Sequence, residues 1–175
     1  MLKPLAPLVI IFLLTSCSSP MKKLVTVTEV DLNRYSGKWY EIARLPNSFE
    51  KGLVCCMAEY SIRPDGKIKV VNSGRKEDNP SKASDITGKA WVPDLNFPGR
   101  LKVQFFWPFR ADYYIFHLDQ ENYQYALVGT PSRKYLWILA RKPILDDQLY
   151  DQLVNVAKEN DFDTGSLLKV RQDCQ

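Results

Sequence analysis

The chain has 175 residues, with 24 Lys and Arg against 20 Asp and Glu, a formal net charge of +4 and a single histidine. That balance excludes a strongly basic nucleic-acid surface and leaves only weak attraction to anionic lipid headgroups. The length allows one sizeable core, and a lone histidine without any Cys-x-x-Cys pair excludes a zinc site.

The N-terminus reads as an export signal rather than as part of the fold. Met1-Leu-Lys3 is a short basic head, and Leu5 to Leu14 is apolar, broken only by Pro7. Such a run is too short to span about 30 Å of hydrocarbon, which needs about 20 residues. Residues 1–16 are therefore a secretory signal. Its end, Leu14-Thr-Ser-Cys17, resembles a bacterial lipobox, in which the cysteine becomes the lipidated first residue. The competing reading is ordinary cleavage with Cys17 incidental. Residues 17–28 then form a lipidated N-terminus and tether, and residues 29–175 the domain. Loss of Lys3 lowers the net charge from +4 to +3.

Short alternating segments fill the mature chain. The run Tyr35-Ser-Gly-Lys-Trp-Tyr-Glu-Ile-Ala-Arg-Leu-Pro-Asn47 contains a first strand, Trp39 to Leu45. Leu53 to Arg63 sets Val54, Cys56, Ala58, Tyr60 and Ile62 on one face and Cys55, Met57, Glu59 and Ser61 on the other. The turn Pro64-Asp-Gly66 leads into Lys67 to Ser73, an Asp-Gly hairpin signal. Asn79-Pro-Ser is loop, Thr87 to Val92 strand, Pro93 to Gly99 loop and Leu101 to Trp107 strand. Tyr113 to Leu118, Tyr123 to Gly129 and Tyr135 to Arg141 complete eight strands in meander order. Eight such strands close into an antiparallel up-and-down β-barrel, which removes exposed edges.

Asp146 and Asp147 cap a single C-terminal α-helix whose Leu149, Leu153, Val156 and Ala157 recur at helical spacing up to Asn160. One apolar stripe packs such a helix on the outside of the barrel. Ser166 to Val170 is a candidate final strand. Three cysteines remain after Cys17, and in an oxidising compartment Cys55, Cys56 and Cys174 predict one disulfide and one free thiol. His117 reads as a barrel-wall residue, and no catalytic constellation is visible.

Gly37-Lys38-Trp39 with its flanks is similar to the first-strand motif of the lipocalins, particularly the bacterial and apolipoprotein D-like members. The second family motif is degraded, with Asp119 kept and Tyr123 four residues later; the third is Arg141, ending Tyr135-Leu-Trp-Ile-Leu-Ala-Arg. The resemblance implies that Gly37, Trp39, Asp119 and Arg141 are structural, with Arg141 lying across Trp39 at the barrel floor. It further implies a Cys55–Cys174 disulfide, whereas a bulge near Leu53 would make Cys56 the partner.

The ligand site belongs at the opposite, open end. Alternation points Cys56, Ala58, Tyr60, Ile68, Val70, Asn72, Ala90, Val92, Val103, Phe105, Tyr113, Ile115, Tyr135, Trp137 and Leu139 inward. These line a cavity or simply fill a core; family members keep the cavity. Asn72, Tyr113 and Tyr135 are candidate head-group contacts, and Arg75 and Lys76 candidate rim charges. The run Phe105-Phe-Trp-Pro-Phe-Arg110 has four readings: mouth, membrane-touching edge, homodimer contact or core anchor.

The family implies a non-catalytic, membrane-anchored protein that binds, stores or transports fatty acids or lysophospholipids in the cell envelope. No cofactor, metal or nucleic acid is called for. Ser18 after Cys17 implies the outer membrane. The alternatives are an isomerase using an interior Cys56, and a carrier of haem or another ring compound.

Overall fold

In a computed structural model, residues 22–174 are described, and the expected signal and Cys17 lie outside them. Eight strands follow one another: β1 Gly37–Arg44, β2 Leu53–Ile62, β3 Ile68–Lys76, β4 Ala83–Trp91, β5 Arg100–Gln104, β6 Ala111–Leu118, β7 Tyr125–Gly129 and β8 Leu136–Ala140. Each pairs antiparallel with the next, and β1 pairs with both β2 and β8, which closes the barrel. Helix α1 (Leu32–Tyr35) precedes the barrel, and α2 (Asp147–Glu159) follows it. The final strand, β9 (Leu168–Lys169), pairs with Ala43 and Arg44 of β1.

Alternation divides the apolar residues into two cores. One fills the barrel around Trp39, Ala58, Tyr60, Val70, Val103, Ile115 and Leu139. The other lies outside the wall, where Leu153 and Ala157 of α2 cover Phe116, Leu127 and Ile138. Asp146 caps α2, accepting hydrogen bonds from the Gln148 and Leu149 amides.

Several boundaries differ from the expected ones. β3 and β4 run longer, to Lys76 and from Ala83, because each supplies the other's ladder even where propensity is poor. β5 stops at Gln104 rather than Trp107, before a loop carrying Pro108. Helix α1 was not anticipated, since four residues carry no periodicity; Asp31 caps it by accepting from the Asn33 and Arg34 amides. Residues 22–28, part of the expected 17–28 tether, pack along the wall: Leu24 and Thr26 are buried, and the Val27 amide donates to the Ile115 carbonyl at 3.0 Å.

The floor is built on Arg141. Its guanidinium lies 4.0 Å from the centroid of Trp39 and donates to the carbonyls of Lys38 (2.8 Å), Arg34 (2.6 Å) and Tyr123 (3.2 Å). Trp39 donates from Nε1 to the Tyr35 carbonyl at 2.8 Å. Gly37, at φ 94°, passes so close that an added Cβ would lie 3.3 Å from Arg141 Nη1. Asp119 caps the β6–β7 turn by accepting from the Asn122 and Gln124 amides. That turn holds Tyr123 at φ 56°, where its hydroxyl accepts from the Asp31 amide.

At the other end β1 and β2 splay, since they pair only over Gly37–Tyr40 of β1. The C-terminal tail fills the gap. Val170 donates to the Ile42 carbonyl and Cys55 to the Arg171 carbonyl, and Gln172 Nε2 bridges the carbonyls of Glu41 and Cys56. A disulfide joins Cys55 to Cys174, and Cys56 is a buried free thiol. The register shift does fall in this region, between Val54 and Met57. It places Cys55 at φ 50° with its sulfur bonded to the tail, and leaves Cys56 facing the interior.

Two substitutions test this frame. Arg141→Leu removes one cation–π contact and three charge-assisted hydrogen bonds, so urea denaturation should show a loss of about 2–4 kcal/mol. Cys174→Ser opens a 119-residue loop and should cost about 2–4 kcal/mol, a difference that disappears when both proteins are reduced.

Candidate functional site

The barrel interior has three levels. At the bottom, the Tyr113 hydroxyl sits 2.8 Å from both the Tyr35 and the Tyr60 hydroxyl. Burial pushes all three phenols above their ordinary value, so they stay neutral donors and acceptors for one another. Tyr113 was a candidate for a head group near the mouth; its hydroxyl is instead engaged by two floor tyrosines.

Above the floor the wall is apolar and contains small side chains: Ala58, Val70, Ala90, Val103 and Ile115 all belong to the interior core. Phe105 lies just beyond β5, over Gly88, where an added Cβ would meet its ring at 2.6 Å. Asn72 points inward from β3, and its Oδ1 is buried without a hydrogen-bond partner among the described residues.

The upper level holds a charged cluster that sequence alternation missed. Strict alternation from Trp39 places Glu41 inside and Arg44 outside. A bulge between Glu41 and Ala43 shifts the register, so that Arg44 pairs with Trp137 as Glu41 pairs with Leu139, and both turn inward. Arg44 Nη1 donates to Glu41 at 2.5 Å, and Nη2 donates to the carbonyls of Glu50 and Leu53 at 2.9 and 3.0 Å. Glu50 Oε2 accepts from Asn47 Nδ2 (2.6 Å) and from Trp137 Nε1 (3.1 Å). Arg44 thereby fastens the β1–β2 loop across the mouth. No signal short of the bulge itself marked this cluster.

Tyr135 stands at the same rim. It stacks on Trp137 at 6.0 Å and packs against Phe49 at 5.5 Å. The candidate rim charge Arg75 lies on β3 and donates to the Pro80 carbonyl of the β3–β4 connection. His117 stacks on Tyr125 at 6.0 Å, and burial lowers its pKa.

Cys56 Sγ is 3.6 Å from Arg44 Nη1, but burial, aided by Glu41, pushes its thiol up to about 12. At neutral pH it is a thiol rather than a nucleophilic thiolate. Asp173 lies beside the sulfurs of Cys55 and Cys174, yet those sulfurs bond each other and offer no thiolate to a metal.

Burial, reinforced by the Glu50 carboxylate and opposed by Arg44, pushes Glu41 from 4.5 to about 8. Between those values the folded chain holds a proton that the unfolded chain releases, so this group's contribution falls as pH rises through the window. Glu41→Gln stays neutral throughout. Denaturation at pH 5 and pH 8 should therefore show wild type losing stability relative to Glu41→Gln, on the order of a few kcal/mol; parallel pH profiles would mean that Glu41 is already ionised.

Comparison with known proteins agrees with this architecture. The Lipocalin-like domain family matches residues 30–172. The outer membrane lipoprotein Blc of Vibrio cholerae is 42% identical over 160 residues, covering 91% of this chain and 93% of the relative. Apolipoprotein D of Macaca fascicularis is 34% identical, covering 93% and 85%. Among solved structures, insecticyanin from the tobacco hornworm Manduca sexta superposes with a TM-score of 0.68 at 24% identity, covering 90% and 89%. The motif residues, the closed barrel and these matches together place the chain in the lipocalin family, whose barrels hold small hydrophobic molecules.

Proposed function

We propose that this protein is a lipid-anchored outer-membrane lipocalin that binds fatty acids or lysophospholipids and stores or transports them within the cell envelope. The observation that carries the reading is the interior wall of small apolar residues (Ala58, Val70, Ala90, Val103) between a hydroxyl-bonded floor and a polar mouth. An acyl chain buried along that wall gains about 0.8 kcal/mol per CH₂, and the unpartnered Asn72 Oδ1 offers an acceptor to a polar donor. Anchoring rests on the Leu14-Thr-Ser-Cys17 motif, and location on the outer membrane lipoproteins that the chain resembles. Chemistry through Cys56 is disfavoured by its neutral thiol.

Native mass spectrometry of delipidated protein titrated with lysophospholipid should show one lipid bound. Affinity should fall about tenfold or more for each two CH₂ groups removed from the chain. Val103→Trp, with circular dichroism confirming the fold, should weaken uptake at least tenfold. No uptake by wild type would refute the binding reading. Cys17→Ala should move the protein from the membrane to the soluble fraction without altering its lipid affinity.

A further inference from the structure

The β1–β2, β3–β4, β5–β6 and β7–β8 connections all lie at the open end of the barrel, and the first and third of these carry exposed aromatics. Trp107 is 86% exposed, Phe109 75%, Phe106 67% and Phe49 59%. The other exposed aromatic among the described residues, Phe97 in the β4–β5 connection, is covered by the Arg100 guanidinium at 4.1 Å. Single exposed side chains need no explanation, but a cluster of large aromatics on one rim marks an interaction surface.

The chain itself enters at this rim. Arg133, buried in the β7–β8 connection, donates to the Lys22 carbonyl, and it also donates to the Asn160 and Pro131 carbonyls at 2.7 and 2.6 Å. Lys22 is thereby held at the open end. Cys17 is five residues upstream, a reach of at most about 18 Å even when fully extended. A ten-residue strand such as β2 is about 33 Å long and, at a tilt near 40°, about 25 Å along the barrel axis. A lipid on Cys17 therefore brings the mouth to the bilayer and cannot reach around to present the floor.

Charge agrees with this direction. The exposed side chains of the four connections include Lys51, Lys82, Arg110 and Lys134 against Glu77 and Asp78. A basic rim set with tryptophan and phenylalanine suits an anionic headgroup layer. A second copy would bring the same basic rim against itself.

We infer that the open end of the barrel docks on the membrane surface, with Phe106, Trp107 and Phe109 seated in the headgroup layer, so that a lipid passes between bilayer and barrel without crossing water. The inference rests on the anchoring proposed above.

The test uses the full-length acylated protein in phosphatidylethanolamine–phosphatidylglycerol vesicles with brominated acyl chains. Bromolipid should quench tryptophan emission, and Trp107→Phe should abolish most of that quenching although three other tryptophans remain. Phe106→Ser with Phe109→Ser should slow lipid transfer out of the vesicle at least fivefold. Equal quenching in wild type and Trp107→Phe, on protein that mass spectrometry shows to be acylated, overturns docking while leaving the anchor intact. If Cys17 carries no lipid the anchor fails; unacylated protein added to the same vesicles then supports docking only if quenching depends on Trp107, and overturns it otherwise. Loss of a dimer in the Phe106→Ser, Phe109→Ser protein with quenching unchanged assigns the aromatics to a second copy and overturns docking as well.

Discussion

The contact of Arg141 with Trp39 is the constraint on which the barrel depends. A guanidinium over an indole gains roughly 0.5–2 kcal/mol, but here the same group also satisfies carbonyls from three separate segments. Lys38 lies on β1, Arg34 on α1 and Tyr123 in the β6–β7 turn. One side chain from the end of β8 therefore closes the barrel, seats the helix that plugs it and positions the turn beside it. The approach requires a glycine at position 37, because a Cβ there would crowd the guanidinium. The tyrosine triad sits directly on this floor, with Tyr35 packed against Trp39 at 4.8 Å.

The opposite end is organised by charge rather than by aromatic packing. Arg44, Glu41 and Glu50 are all buried, and a buried charge such as Arg44 is tolerated only when its hydrogen-bonding partners are complete. Here each Arg44 Nη donates twice, and Glu50 is held by Asn47 and Trp137. The cluster lies where β1 and β2 part, a place where ladder hydrogen bonds are missing. The tail, with its disulfide to Cys55, supplies part of that backbone pairing from outside, and Arg44 supplies the rest from inside. The two ends thus differ in kind: a floor closed by one guanidinium over an indole, and a mouth that is polar, split and repaired.

That difference bears on ligand passage. A barrel sealed at one end by three coupled contacts admits a molecule only through the other. There the exposed aromatics, the basic rim and the entering chain share one face. Hydrogen-bonding groups inside the mouth are mostly engaged with one another. Below them, Asn72 Oδ1 on the β3 wall is buried without a hydrogen-bond partner among the described residues, as are Arg100 Nε and Gln104 Nε2.

Much of the barrel is legible in the amino-acid sequence. Period-two alternation, an Asp-Gly turn and the Gly37-Lys38-Trp39 motif report local preferences and a closure that each strand carries in its own residues. The C-terminal helix was equally plain, because its cap and stripe are local. The Cys55–Cys174 pairing rests on resemblance together with the outward alternation of Cys55, a facing that a bulge near Leu53 could have inverted. Residues whose role depends on register escaped. Arg44 turns inward through a one-residue bulge, and the Tyr113 hydroxyl reaches the floor rather than the mouth. The sequence by itself determined the barrel, its motif and its outer helix, because these follow from propensity and periodicity along the chain. Only the tertiary structure decided which charged side chains entered the barrel and at which end the described residues start, because a single-residue slip reverses every facing that alternation assigns and because Lys22 is held by a distant loop.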